Sequence, residues 1–191
     1  MSVRQRLQAG FGWAAALAGL LLVSLPVAAA ERFEIRNAFA EPVDGVWQLN
    51  ANMDLSLSEA AREALHEGIS LTVLLDVEIT AERGFMPDKG VAELAQRWSL
   101  AYDALSQRYV TTNLNSRAQS TQATLEEALE DLSRVRGLPL VDAALLRVGR
   151  RHEISLRASI EIGGLPDAVK VLIFWRDWSV ATDWYTWSIR P

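Results

Sequence analysis

The stretch ISLTVLLDVEIT, residues 69–80, leaves this chain little freedom in what it can fold into. Ile69, Leu71, Val73, Leu75, Val77 and Ile79 fall on one parity. Ser70, Thr72, Asp76, Glu78 and Thr80 fall on the other, with Leu74 the exception. Successive side chains of a strand point to opposite faces, so a period of two means a sheet with one buried and one wet face. The pattern recurs. Within 46–55, Trp47, Leu49, Ala51 and Met53 alternate with Gln48, Asn50, Asn52 and Asp54. Within 152–162, Ile154, Leu156, Ala158, Ile160 and Ile162 alternate with Ser155, Arg157, Ser159 and Glu161.

The remaining segments fit round these strands. Residues 32–40 pair with 46–55 through a turn at Pro42, Asp44 and Gly45. Residues 96–105, with Trp98, Leu100, Tyr102 and Ala104 on one face, pair with 108–114 across a turn at Ser106-Gln107. The segment 81–92 reads as a loop, and 140–148 is open between a short helix and a strand. After a turn at Gly163–Pro166, residues 169–175 and 178–189 read as strands. Two helices are expected. One covers about 58–67, capped by Ser58, or by Ser56 with Glu59, and ended by Gly68. The other covers about 124–136, opened by the capping box of Thr124 and Glu127. Its apolar stripe is Leu125, Ala128, Leu129, Leu132 and Val135, and Gly137 and Pro139 stop it. No strand–helix–strand rhythm of the parallel type is present. The expected fold is mostly β (α+β): an antiparallel β-sandwich with two helices packed at its ends or along one edge.

The first thirty residues have another character. Arg4 and Arg6 precede an apolar run from Phe11 to Val23, then Pro26, then Ala28-Ala29-Ala30. That is the three-part layout of a secretory signal peptide cut after Ala30, with an uncleaved anchor as the alternative. The expected organisation is a leader over 1–30 and one domain over 31–191, in the periplasm, with no membrane span left after cleavage. There is no cysteine, which excludes disulfides, thiolate metal sites and a cysteine nucleophile. Past residue 30, seventeen basic residues stand against twenty-four acidic ones, a net charge of −7. That balance argues against nucleic acid and against anionic membrane surfaces as partners.

Chemistry-bearing residues are few. The ending WRDWSVATDWYTWSI packs four tryptophans and a tyrosine into fifteen residues. Trp178 and Trp184 share one parity, and Tyr185 and Trp187 the other, so strict alternation sends aromatics to both faces unless a bulge intervenes. Tryptophan suits core rims, protein interfaces and sugar-stacking platforms alike. Trp178, Trp184, Tyr185 and Trp187 are therefore the candidate ligand or interface residues. Asp76 and Glu78 share a strand face, with Asp103 a third acid. The pair could act on a glycosidic bond or hold calcium, but polar-out alternation alone also produces it. His66 and His152 lack metal-ligand spacing, and no GxSxG elbow, P-loop or GxGxxG occurs. No metal, cofactor or catalytic set is expected. Arg147, Arg150, Arg151 and Arg157 form a local basic run, which reads as a solvated face or, alternatively, an anionic-partner site.

Four pieces together resemble one family: WQLNANMDLSLSEAAREALHEGISLTVLLDVEI (47–79), RWSLAYDALSQRYVTTNL (97–114), EISLRASIEIGGLP (153–166), and the ending DWSVATDW with Trp187. The family is the proteobacterial group called domain of unknown function 4390. The resemblance implies a small exported protein of Gram-negative bacteria and hands over no catalytic residue. It also implies a gene neighbour, a two-component histidine kinase of the nitrogen-regulation type. The expected function is a non-enzymatic periplasmic binding or interaction module, with the extracytoplasmic part of a membrane sensor kinase as partner. The alternative is a glycan or lipid-fragment binder using the C-terminal aromatics.

Overall fold

The computed structural model describes residues 33–85, 87–162 and 180–191. The expected leader, the expected strand over 169–175, Trp175 and Trp178 lie outside them. Among the described residues, ten strands and two helices follow in chain order: β1 (Glu34–Val43), β2 (Val46–Asp54), α1 (Glu59–His66), β3 (Leu71–Ala81), β4 (Lys89–Asp103), β5 (Arg108–Asn113), β6 (Gln119–Gln122), α2 (Leu125–Leu132), β7 (Arg134–Asp142), β8 (His152–Ile162), β9 (Val180–Ala181) and β10 (Tyr185–Ile189). Residues 31–191 cluster into one compact unit.

Every pairing is antiparallel. The long sheet runs β10-β8-β3-β4-β5-β6, with β9 beside β8, and the short sheet runs β1-β2-β7. Two apolar clusters fill the space beneath the long sheet. In one, Leu49, Ala51 and Met53 of β2 meet Leu75, Val77 and Ile79 of β3 and Ile154 and Leu156 of β8. In the other, Ala61 and Leu65 of α1 and Leu125, Ala128 and Leu129 of α2 meet Leu71, Val73 and Leu100. The short sheet and the helix pair thus form one second layer. The helices lie beside the short sheet rather than at its ends, because both need the same apolar face of β3 and its neighbours. The sandwich read from the sequence is the observed fold.

Local chemistry explains the main boundaries. Asp44 and Gly45 both adopt left-handed backbone, φ 49° and 81°, the two-residue turn whose twist suits a hairpin. Ser58 Oγ accepts the Ala61 N–H at 3.2 Å, and Gly68 (φ 85°) ends the turn after α1. Thr124 Oγ1 accepts the Glu127 N–H at 3.2 Å while Glu127 Oε2 accepts the Thr124 N–H at 3.3 Å, the reciprocal capping box.

Three sequence expectations shift. The second helix ends at Leu132, not 136, and Val135 belongs to β7, where it is buried opposite Ala51. Gly137 and Pro139, read as helix stops, instead lie inside β7. Gly137 takes φ 59° within the register shift between Leu138 and Val135 and donates its N–H to Asn50 Oδ1 at 3.1 Å. Pro139 is tolerated because, among the described residues, β7 pairs only with β2 and is an edge. The 81–92 loop is shorter than expected: β4 begins at Lys89, with a register shift near Gly90. The open stretch 140–148 continues β7 to Asp142 and then makes a short 3-10 turn over Ala143–Leu145.

Candidate functional site

The C-terminal aromatics sit along β8, and the register explains how. Val180 pairs Ile160 and Ala181 pairs Ser159, whereas Tyr185 pairs Leu156 and Trp187 pairs Ile154. Three residues of β8, Ala158 to Leu156, are therefore matched by four, Thr182 to Tyr185. One extra residue falls at Asp183-Trp184, opposite Arg157. This bulge resets the parity. Before it, Thr182 is buried; its N–H donates to the Ala158 carbonyl at 2.9 Å and its Oγ1 accepts the Ala158 N–H at 3.1 Å. After it, Tyr185, Trp187 and Ile189 turn inward.

Tyr185 and Trp187 are half-buried against the first apolar cluster, their ring centroids 5.8 Å apart. The Trp187 Nε1 is buried, and among the described residues no acceptor reaches it. Trp184 faces the other way and is 42% exposed. The Arg157 guanidinium carbon lies 5.8 Å from its ring centroid, a cation–π contact. Of the four sequence candidates, two thus pack inward, Trp184 stands on the outer face of the long sheet, and Trp178 lies outside the described residues.

Along the same outer face, Arg157 is in register with Asp76, and a depression of about 240 Å³ opens between Leu74, Asp76, Arg157, Ser159 and Val180. Glu78 lies next along the strand, between Ser155 and Glu93. Asp103 is elsewhere. It lies eight residues along β4 from Ala95, the neighbour of Asp76, or about 26 Å at the usual strand rise. Its Oδ1 accepts the N–H groups of Leu105 and Ser106 at 2.9 and 3.2 Å, and these bonds hold its pKa below the ordinary value. Asp103 therefore shapes its turn and does not join the other two acids.

The histidines are also apart. His66 Nε2 lies 3.3 Å from the Tyr109 hydroxyl, with Tyr102 stacked edge-on at 4.6 Å. Burial pushes the Tyr109 phenol above its ordinary value. His152 is buried, and its Nδ1–H donates to the Arg150 carbonyl at 3.2 Å. Among the described residues, no three His, Asp or Glu side chains converge as a metal site would need.

One concavity was not legible in the sequence. A cleft of about 280 Å³ lies beside α2, with Trp98, Thr111, Asn113, Ser120, Asp131 and Arg134 in its wall. Ser120 Oγ donates to Asp131 Oδ2 at 3.3 Å and receives the Thr111 hydroxyl at 2.6 Å. Arg134 is braced by an ion pair with Glu130. This hydroxyl chain ends on a carboxylate with no imidazole in it, so it lacks the relay that would activate a serine. An indole beside hydroxyl, amide, carboxylate and guanidinium groups is suited to binding a polar ring. Its residues come from β4, β5, β6, α2 and β7, and no sequence motif joins them.

The basic run splits. Arg157 lies on the outer sheet face. Arg151 lies 4.0 Å from Glu82 and donates to Ser188 Oγ at 2.9 Å. Arg147 and Arg150 line a separate cleft at one end of the sheet.

No helix among the described residues is long and apolar enough to cross a membrane. No curated protein and no solved structure matches the chain. The family model described as Domain of unknown function (DUF4390) matches residues 30–188. With most of the chain matched, and with it the strands and helices described above, this protein belongs to the DUF4390 family.

Proposed function

We propose that the chain works in the periplasm as a non-enzymatic interaction module, and that the outer face of the long sheet is its contact surface. The observation that carries this reading is the Trp184–Arg157 pair. Tryptophan and arginine dominate the energetics of protein interfaces when they stand on a rigid scaffold. Here Arg157 stands on β8 and Trp184 at the bulge between β9 and β10, beside Asp76 and a shallow depression. The partner we favour is the extracytoplasmic part of a membrane sensor kinase. A photo-crosslinking residue at position 184, expressed in the native envelope, is expected to capture a membrane protein. Arg157→Ala is expected to reduce that yield about tenfold or more. Recovery of uncrosslinked monomer alone would remove the reading.

The glycan-fragment reading keeps one specific support, the Trp98 cleft rather than the C-terminal aromatics. Its ring face and hydrogen-bonding wall match the chemistry of a sugar. Titration with peptidoglycan fragments is expected to shift tryptophan fluorescence, and Asn113→Ala is expected to weaken the response. An unchanged spectrum at saturating fragment concentration rejects it.

A further inference from the structure

We propose that one end of the sandwich is a peripheral docking tip for an anionic lipid surface. It is formed by residues 82–85 and 87–88 after β3 and the loop 146–151 before β8. The two loops lie side by side: the Glu82 N–H donates to the Arg151 carbonyl at 3.1 Å, and their side chains form an ion pair at 4.0 Å. Between them opens a cleft of about 280 Å³ whose wall includes Arg83, Lys89, Arg147 and Arg150. None of these four forms an ion pair among the described residues. With Arg151, the tip carries five cations against two acidic side chains, Glu82 and Asp88. Glu82 is engaged by Arg151, and Asp88 accepts the Arg83 N–H at 3.3 Å.

The second observation is apolar. Phe85 is fully exposed and Val148 is 88% exposed, both on these loops, and Leu145, at the end of the 3-10 turn just before the second loop, is 65% exposed. A free anion in the cleft has no use for them. A bilayer interface uses both kinds of group at once: cations meet lipid phosphates while short apolar side chains enter the acyl boundary. The exposed Leu105 at the β4–β5 turn is a useful contrast, because it stands beside Asp103 rather than in a cluster of cations. The net charge of −5 for the whole chain argues against such a surface when read as a sum. The fold segregates the charge, and docking responds to the local field, which is screened beyond about 8–10 Å.

The test is vesicle co-sedimentation of residues 31–191, which hold both apolar clusters. The protein is expected to pellet with phosphatidylglycerol vesicles and not with phosphatidylcholine vesicles, and to be released by salt. Arg147→Gln/Arg150→Gln is expected to lower the partition coefficient about twentyfold, roughly fivefold per charge. Phe85→Ser/Val148→Ser is expected to lower it severalfold while keeping the salt dependence. All four side chains are exposed or line the cleft, so unchanged melting temperatures show that the variants are folded. Failure to pellet with phosphatidylglycerol overturns the proposal. So does wild-type binding by the Phe85/Val148 variant, which would mean simple ion exchange. Stabilisation by inorganic phosphate without vesicle binding would assign the cleft to a small anion. Retention on polyglutamate without vesicle binding would assign it to an acidic protein. Either of these two results also overturns it. The outcome is independent of the outer-face reading, since neither variant touches Arg157 or Trp184.

Discussion

Leu74 and Leu75 are neighbours in sequence and opposites in environment. Leu75 is fully buried between the two layers, whereas Leu74 stands on the outer face beside Arg157 and Asp76. Leu75→Ala removes core methyl groups that close packing cannot replace, and is expected to cost about 2–5 kcal/mol in urea unfolding. Leu74→Ala is expected to stay within about 1 kcal/mol. Equal losses at the two positions would contradict the period-two reading on which the fold rests. Asp103 shows a different kind of residue-level control. Its depressed pKa comes first from the backbone bonds of Ser106 and Leu105, so the native state favours its charged form. Its contribution is present above the unfolded value, near 3.8, and is lost as pH falls through the lower folded value. Asp103→Asn is therefore expected to lower the melting temperature at neutral pH and to bring the two proteins together at strongly acid pH.

At the scale of elements, α2 shows how eight residues stay helical. A helix this short is not stable alone, so it depends on its caps and on the four buried side chains Leu125, Ala128, Leu129 and Leu132. Thr124→Ala opens the capping box and is expected to cost about 1 kcal/mol, read by thermal unfolding. The strands β2, β3 and β8 were legible in the sequence because each has one face in the core and one in water, which writes the period directly. β7 was not, because its signals are those of a broken strand: Gly137 and Pro139 stop a helix as readily as they bend an edge. The short polar β6, QSTQ, carries no alternation and left no trace to read. The aromatic ending was legible in kind but not in direction. A single extra residue at Asp183-Trp184 decides which rings go inward, and that residue shows only in the pairing with β8.

For the molecule as a whole, β3 is, like its neighbour β8, common to both apolar clusters. Its inner face supplies Leu75, Val77 and Ile79 to one apolar cluster and Leu71 and Val73 to the other. The two clusters cannot separate without breaking a continuous strand bonded on both sides. Urea unfolding followed by tryptophan fluorescence and by far-UV circular dichroism is expected to give coincident transitions. Separated midpoints would mean that the helix half and the short-sheet half melt apart. The candidate sites are products of this scale, which is why the sequence disclosed so little of them. The outer-face pair needs the β8 register, the Trp98 cleft needs five elements, and the basic tip needs two loops 60 residues apart to meet.

The edge made by β7 has one more consequence. A straight outer strand offers its unpaired amides and carbonyls to any similar chain that drifts alongside. Here the rim is interrupted by a residue that has no amide hydrogen and by two places where the ladder slips out of step. A second copy laid along it would find its bonds out of phase after a few residues. The irregularity that hid this strand from a reading of the sequence also makes this edge a poor template for a second copy.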